Sequence, residues 1–307
     1  MIRYPVQENP TDKDDVEFLK ELVEKIKPGW LQRASERTDG FKKAADYNES
    51  GSIWSEVKDV FLDLQHGKCA YCERKLGGKS YNRKEYDVEH YRPKSNIGQW
   101  PTKKVLEKMA EQGKAFYKFT TGDPSTKGYY LLPYNILNYT VACTGCNSTL
   151  KSSFFPIAAK KRVLDSDDAR RLKAEKPFLL NPLGQWDDDP QEYITFNGIL
   201  PVPKIKRGVK YKRARITIDF FDLDIRPELI EERAGIILSV WLAFETLEDK
   251  TASEEAKVTA QSILNAALSP KKPHTNCARS FYKLCQENRA LALELKNQAQ
   301  RINEDLS

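Results

Sequence analysis

The sequence predicts a mainly helical α+β protein on three observations. Helical periodicity runs through the first 65 residues and again beyond residue 226. Short β-like runs lie between turn signals in the middle of the chain, and two C-x-x-C pairs bracket the central segment. In DKDDVEFLKELVEKIK, the residues Val16, Leu19, Leu22, Val23 and Ile26 recur at helical spacing behind an acidic first turn, and Pro28-Gly29 ends the pattern. A second helix is expected over SIWSEVKDVFLDLQ, with Ile53, Val57, Val60, Phe61 and Leu64 on one face, until His66-Gly67 breaks it. Residues 1–65 thus read as an N-terminal helical region.

Residues 66–160 carry the motifs. Within them, the polar, Lys-rich stretch 97–128 reads as an insertion between two halves of one site, with a helix possible over VLEKMAEQGKAFYKF. Residues 161–307 read as a mostly helical C-terminal region, opening on a charged helix over 160–175. A short β segment is expected near 178–200, where Asn181-Pro182, Asp189-Pro190 and Asn197-Gly198 mark turns around EYITF. PELIEERAGIILSVWLAFETLE, SEEAKVTAQSILNAALS and CARSFYKLCQENRALALELKNQAQRI follow as three helices, and no internal repeat is visible.

Hydrophobic residues make up 40% of the chain, enough for a sizeable core, and charged residues 31%. No apolar run approaches the roughly 18 residues of a membrane span. The opening MIRYPVQENPTDKDD has no charged segment followed by an apolar one, so a cytoplasmic protein is expected. The net charge of +6 is unevenly spread: residues 66–160 hold 16 Lys or Arg against 7 Asp or Glu. The run KIKRGVKYKRAR, residues 204–215, adds seven cations in twelve positions. Such segregation fits a polyanionic partner, nucleic acid being the commonest, and fits a solvated basic surface equally well.

Cys69-x-x-Cys72 and Cys143-x-x-Cys146 each place two thiolates on a tight turn. Four thiolates complete a closed tetrahedral zinc site, which leaves no open position for substrate and is therefore structural. It would tie the start of the motif region to its end and offset the weak core of a short unit. Redox or disulfide chemistry is the competing reading, and the second pair argues against it. Cys277 and Cys285, eight residues apart in an expected helix, read as ordinary thiols.

Between the pairs stand EYDVEHYRPKS (85–95) and PYNILNYTVA (133–142), and NSTLKSSFFP (147–156) follows the second pair. His90 directly follows the acid Glu89, Asn138 lies five residues before Cys143, and Asn147 directly follows Cys146. These elements, CAYC, VEHYRP, NYTVAC and CTGCN, resemble in order and spacing the zinc-knuckle form of the HNH endonuclease family. The resemblance covers about 90 residues, interrupted by the insertion. It implies a ββα-metal nuclease core, with His90 at the end of the first strand, Asn138 at the start of the second and Asn147 at the start of the following helix.

By the same resemblance, neutral His90 is the general base. Glu89 and Asn147 ligate one hard divalent cation, Mg²⁺ or Mn²⁺, and Asn138 orients the strand pair or the imidazole. Taken alone, a histidine is more often structural than catalytic; its setting between cysteine pairs, beside an acid and three residues before Pro93, favours catalysis here. Two departures stand out. The family's usual acid before the histidine is Asp, so Asp87 is an alternative ligand, and Asn147 stands where the name-giving second histidine would. Arg92 and Lys94 are candidates to grip phosphates beside the scissile one, and Lys151 to do the same or to cap a helix.

The run EHYRPKS, the later CTGCN…K…FP and LLNPLGQWDDDPQEYITFNG together resemble the HNH proteins of bacterial anti-phage defence, the family typified by PtuB of Septu systems and certain retrons. That resemblance spans residues 66–245. It implies an endonuclease acting on nucleic acid, DNA foremost, and an ATPase partner that restrains or triggers it. Two alternatives remain: a zinc-stabilised nucleic-acid-binding module without catalysis, and a nuclease subunit silent until its partner assembles.

Overall fold

A computed structural model of the chain describes residues 1–8, 12–77 and 85–304. It is α+β, with ten α-helices among the described residues and two small antiparallel strand pairs. The chain forms two compact units, one of residues 6–62 and 83–181, the other of residues 1–5, 63–82 and 182–307.

In the first unit, α1 (Asp15–Ile26) starts where the Asp14 carboxylate accepts from the backbone N–H groups of Val16 and Glu17, at 2.8 and 2.9 Å. Leu19 and Val23 form its buried stripe. Gly29 then takes a left-handed φ of 74°, which a side chain would disfavour, and α2 (Trp30–Ala44) begins. The helix expected over 52–65 is shorter than its pattern: a 3-10 turn, Trp54–Val57, leads into α3 (Lys58–Leu64).

β1 (Tyr86–His90) pairs antiparallel with β2 (Tyr139–Cys143), in a register that sets Tyr86 opposite Cys143 and His90 opposite Tyr139. A layer of rings lies beneath the pair: Tyr139 meets Phe61 edge-on at 5.4 Å and Trp30 at 6.3 Å, and Trp30 Nε1 donates to the Ile53 carbonyl. The expected insertion contains α4 (Lys103–Glu111). Ile97 and Ser125 exchange two backbone hydrogen bonds of 2.8 Å, so the chain leaves and returns at one point.

β2 leads into a seven-residue π-helix, Gly145–Lys151, closed by a bond from Ser152 N–H to the Asn147 carbonyl at 2.7 Å. The charged helix expected over 160–175 shrinks to α5 (Ala169–Lys173). Asp168 caps it by accepting from Arg170 N–H, and the preceding Asp165, Ser166 and Asp167 are residues that favour turns over helix interiors.

In the second unit, β3 (Ile194–Asn197) and β4 (Leu200–Pro203) form a hairpin whose turn begins at Gly198, with φ 58°. α6 (Gly208–Phe220), α7 (Pro227–Glu248), α8 (Glu254–Leu268), α9 (Thr275–Glu287) and α10 (Arg289–Glu304) complete it. The last expected helix is therefore two, divided at Asn288, whose side chain accepts from Leu291 N–H at 3.1 Å as an N-cap. Ala234, Ile237, Val240, Leu264, Phe281 and Leu295 form the core of these helices. Cys277 and Cys285 are buried in it, and burial pushes both thiols up to about 12. No described helix is long and apolar enough to cross a membrane.

Candidate functional site

The four cysteines of the two C-x-x-C pairs come together. Cys69 N–H donates to the Arg74 carbonyl at 2.9 Å and Glu73 N–H to the Cys69 carbonyl at 3.1 Å, which turns the chain back on itself around the first pair. In the second pair, Cys143 is the last residue of β2 and Cys146 lies in the first turn of the π-helix. The four sulfurs lie within 4.8 Å of one another, three of the residues buried and Cys143 half-buried, and none is in a disulfide. Among the described residues this is the one such group of three or more His, Cys, Asp or Glu. Four thiolates at that separation can hold a metal ion, and the donor set suits zinc.

The second cluster forms around the end of β1. His90 is the last residue of that strand and is buried; its Nε2 lies 3.0 Å from the Pro133 carbonyl oxygen. A carbonyl only accepts, so Nε2 carries the proton and Nδ1 is the basic nitrogen. The Tyr139 hydroxyl donates to the same Pro133 oxygen. The imidazole is held between two rings edge-on, Trp54 at 5.0 Å and Tyr139 at 5.1 Å. Burial, reinforced by the charge of Lys94, holds His90 well below the usual imidazole range, so the ring is neutral at neutral pH.

Glu89, the residue before His90 in β1, is buried as well, and Lys94 and Lys151 act on both groups. Lys151 Nζ, with no exposure at all, stands 3.1 Å from Glu89 Oε1 and 3.4 Å from the His90 carbonyl oxygen. The approach to Oε1 is close enough for an ion pair but does not satisfy hydrogen-bond geometry, so that oxygen is buried without a hydrogen bond. Burial pushes the Glu89 carboxyl up to about 7 against the pull of Lys151, and burial lowers the Lys151 ammonium as well. From the π-helix, Asn147 Nδ2 reaches the Val88 carbonyl at 3.4 Å, one residue before Glu89.

The remaining expected site residues fall into two groups. Lys94 is half-buried, its ammonium 4.4 Å over the Trp54 ring, and its charge acts on both Glu89 and His90. Arg92 is used internally: Nε meets Glu175 at 3.2 Å, Nη2 donates to the Leu172 carbonyl at 2.8 Å, and the guanidinium lies 5.0 Å over the Phe155 ring. Neither Arg92 nor Lys151 presents its charge to solvent, so the phosphate grip expected of them does not match their positions. Asn138 is a staple: its Oδ1 accepts from Arg92 N–H at 2.8 Å, and its Nδ2 donates to the carbonyls of Arg92 and Leu132. It fixes the main chain directly after His90. Asp87 is exposed, and its carboxylate accepts from Val88 N–H.

Trp54, the Pro133 carbonyl and Tyr139 surround His90 without having been singled out in the sequence. Trp54 stands three residues before Val57 and seven before Phe61, on the edge of the apolar face of its expected helix, so the pattern marks it only as a core residue. In the basic run, Lys204 pairs with Glu192, Arg213 with Asp187 and Arg215 with Asp219. Lys206 and Arg207 are exposed ahead of α6, with no ion pair among the described residues.

The chain is 29% identical over 246 residues to the Septu protein PtuB of Bacillus mycoides (strain KBAB4), an alignment covering 78% of this chain and 66% of that protein. The chain thus spans just under two thirds of the relative's length. No protein-family model matches the chain, and no solved structure does.

Proposed function

We propose that the chain is a metal-dependent HNH endonuclease that hydrolyses phosphodiester bonds of nucleic acid, DNA foremost, as an effector of anti-phage defence. The observation that carries this reading is the state of His90. It is a neutral, buried imidazole, its Nε2–H fixed on a carbonyl and its ring clamped by Trp54 and Tyr139, beside a carboxylate with an unsatisfied oxygen. With Nε2 committed to the Pro133 carbonyl, Nδ1 is the nitrogen that can accept a proton. β1, β2 and the π-helix then correspond to the two strands and helix of the ββα-metal core. The defence role rests on the likeness to the Septu protein PtuB and on the motifs shared with that family, and an ATPase partner is part of the same proposal.

The donor set at β1 fits a hard cation. Glu89 Oε1 is a buried oxygen without a hydrogen bond, and Asn147 turns its amide oxygen away from Val88. Glu89 and Asn147 would hold Mg²⁺ or Mn²⁺, which when bound supplies charge stabilisation to the phosphorane-like transition state and the leaving oxygen. His90 Nδ1 takes a proton from water as its oxygen attacks phosphorus in line, and the bond to the leaving 3′ oxygen breaks. Asn138 keeps the strand end rigid, so the imidazole loses little entropy in reaching its working position. Lys94 contacts a flanking phosphate. The four thiolates hold a structural zinc that takes no part in the reaction.

A metal titration on DNA and RNA tests the reading. Zinc-loaded protein with added Mg²⁺ or Mn²⁺ is expected to cut DNA, and retardation of DNA in a gel with no cleavage at any metal concentration would instead establish the zinc-stabilised binding module. Cleavage that appears only when a purified ATPase partner is added would identify a nuclease held silent in isolation.

A further inference from the structure

The proposed cation position is already approached by a positive charge of the chain itself. Lys151 is fully buried, and its Nζ lies 3.1 Å from Glu89 Oε1 and 3.4 Å from the His90 carbonyl oxygen. Asn147 and Lys151 stand four residues apart on one π-helix, and both reach the same stretch of β1, Asn147 through the Val88 carbonyl. A buried lysine needs compensation for the hydration it gives up, and here that is one carboxylate oxygen, one long carbonyl contact and the face of the Phe155 ring at 5.8 Å. The contact with Glu89 is an ion pair without hydrogen-bond geometry, so it supplies charge and little directional bonding. π-Helical turns are uncommon and are concentrated at functional positions.

We infer that Lys151 is the resident counter-cation of this site: its ammonium neutralises Glu89 when no divalent ion is present and must release Glu89 before that carboxylate can ligate one. This rests on the nuclease reading and deepens it, since it makes metal loading and lysine release a single competitive equilibrium at one oxygen. The device suits an effector that must stay inert until called upon. A site without a divalent ion is not left with a bare buried carboxylate, and anything that shifts the π-helix by one side chain's reach changes metal affinity. Lys151 is thus a residue that acts on the chemistry through Glu89.

The test is Mn²⁺ binding by electron paramagnetic resonance on zinc-loaded protein in the absence of substrate. Lys151→Met removes the charge while keeping an unbranched side chain, and it is expected to bind Mn²⁺ about tenfold or more tightly than the wild type. Glu89→Gln in either background is expected to abolish that binding. The double variant Lys151→Met/Glu89→Gln leaves no unpaired buried charge, and its melting against the single variants reports whether each fold is intact. Mn²⁺ affinity unchanged or weakened in folded Lys151→Met, with the wild type still cutting DNA, would overturn the counter-cation and leave the nuclease standing. A cleavage rate lost in Lys151→Met at unchanged Mn²⁺ affinity would likewise overturn it, placing Lys151 on the phosphate. No Mn²⁺ bound by any variant, and no cleavage, would sink both proposals.

Discussion

The four-thiol cluster and the Glu89–His90 cluster are both built from buried groups that water would solvate, yet they are finished to different degrees. The thiols are four donors of one kind within 4.8 Å of one another, enough to fill a tetrahedral ion's coordination shell with nothing left over. Around β1 the donors are mixed, one carboxylate oxygen has no hydrogen bond, and a lysine of the chain stands against it. A closed donor set stabilises; an open one, with a neutral imidazole beside it, can react. The comparison teaches that completeness of the donor set, more than the presence of metal-ligand residue types, separates a structural centre from a chemical one.

Breaking each cluster should have different consequences. Cys146→Ser removes one of four donors, and because metal affinity of such a site is folding free energy, a loss of at least about 4 kcal/mol is expected. Chemical denaturation together with a zinc assay checks it: normal stability without zinc would show that the thiols need no ion. Asn138→Ala removes the side-chain partner of the Arg92 N–H and Arg92 carbonyl in a buried place and leaves the Leu132 carbonyl only its 3.3 Å bond from Asn135 N–H, which should cost about 3 kcal/mol while zinc content stays intact. Denaturation curves indistinguishable from the wild type would mean that the staple holds nothing.

Cys277 and Cys285 sharpen the comparison as thiols outside either cluster. Alkylation needs the thiolate, and burial raises both thiols from an ordinary 9 to about 12, so labelling at pH 8.5 should be slow and climb with pH toward that value. Of the four clustered cysteines, the half-buried Cys143 should label first once the metal is chelated, and the other three only as loss of the ion loosens the fold around them. Mass spectrometry of the alkylated sites reads this directly, and rapid modification of Cys277 in folded protein would contradict its burial.

Much of this was legible in the residues. The C-x-x-C spacing announced the thiol group, and long apolar periodicity announced α7 and α8, because both signals are local. Helix ends were less so: Asn288 splits one expected helix and Asp168 shortens another, each by a cap that periodicity alone ignores. What local pattern lacked entirely was partnership across the chain. Arg92 in HYRPK reads as a phosphate grip until Glu175 is found beside it, and Lys151 as a phosphate grip or helix cap until Glu89 is. Trp54 and the Pro133 carbonyl, which hold the imidazole, carry no sequence mark of that task.

The most direct test of a base at the end of β1 is the single-turnover cleavage rate of a labelled DNA duplex by zinc-loaded wild type and His90→Ala in saturating Mg²⁺, with melting followed in parallel. The expected result is a rate lower by about 10²–10⁴-fold in His90→Ala with zinc content unchanged. An alanine protein that cuts as fast as the wild type would contradict the assignment of His90 as the general base and, with it, the chemical role given to this cluster.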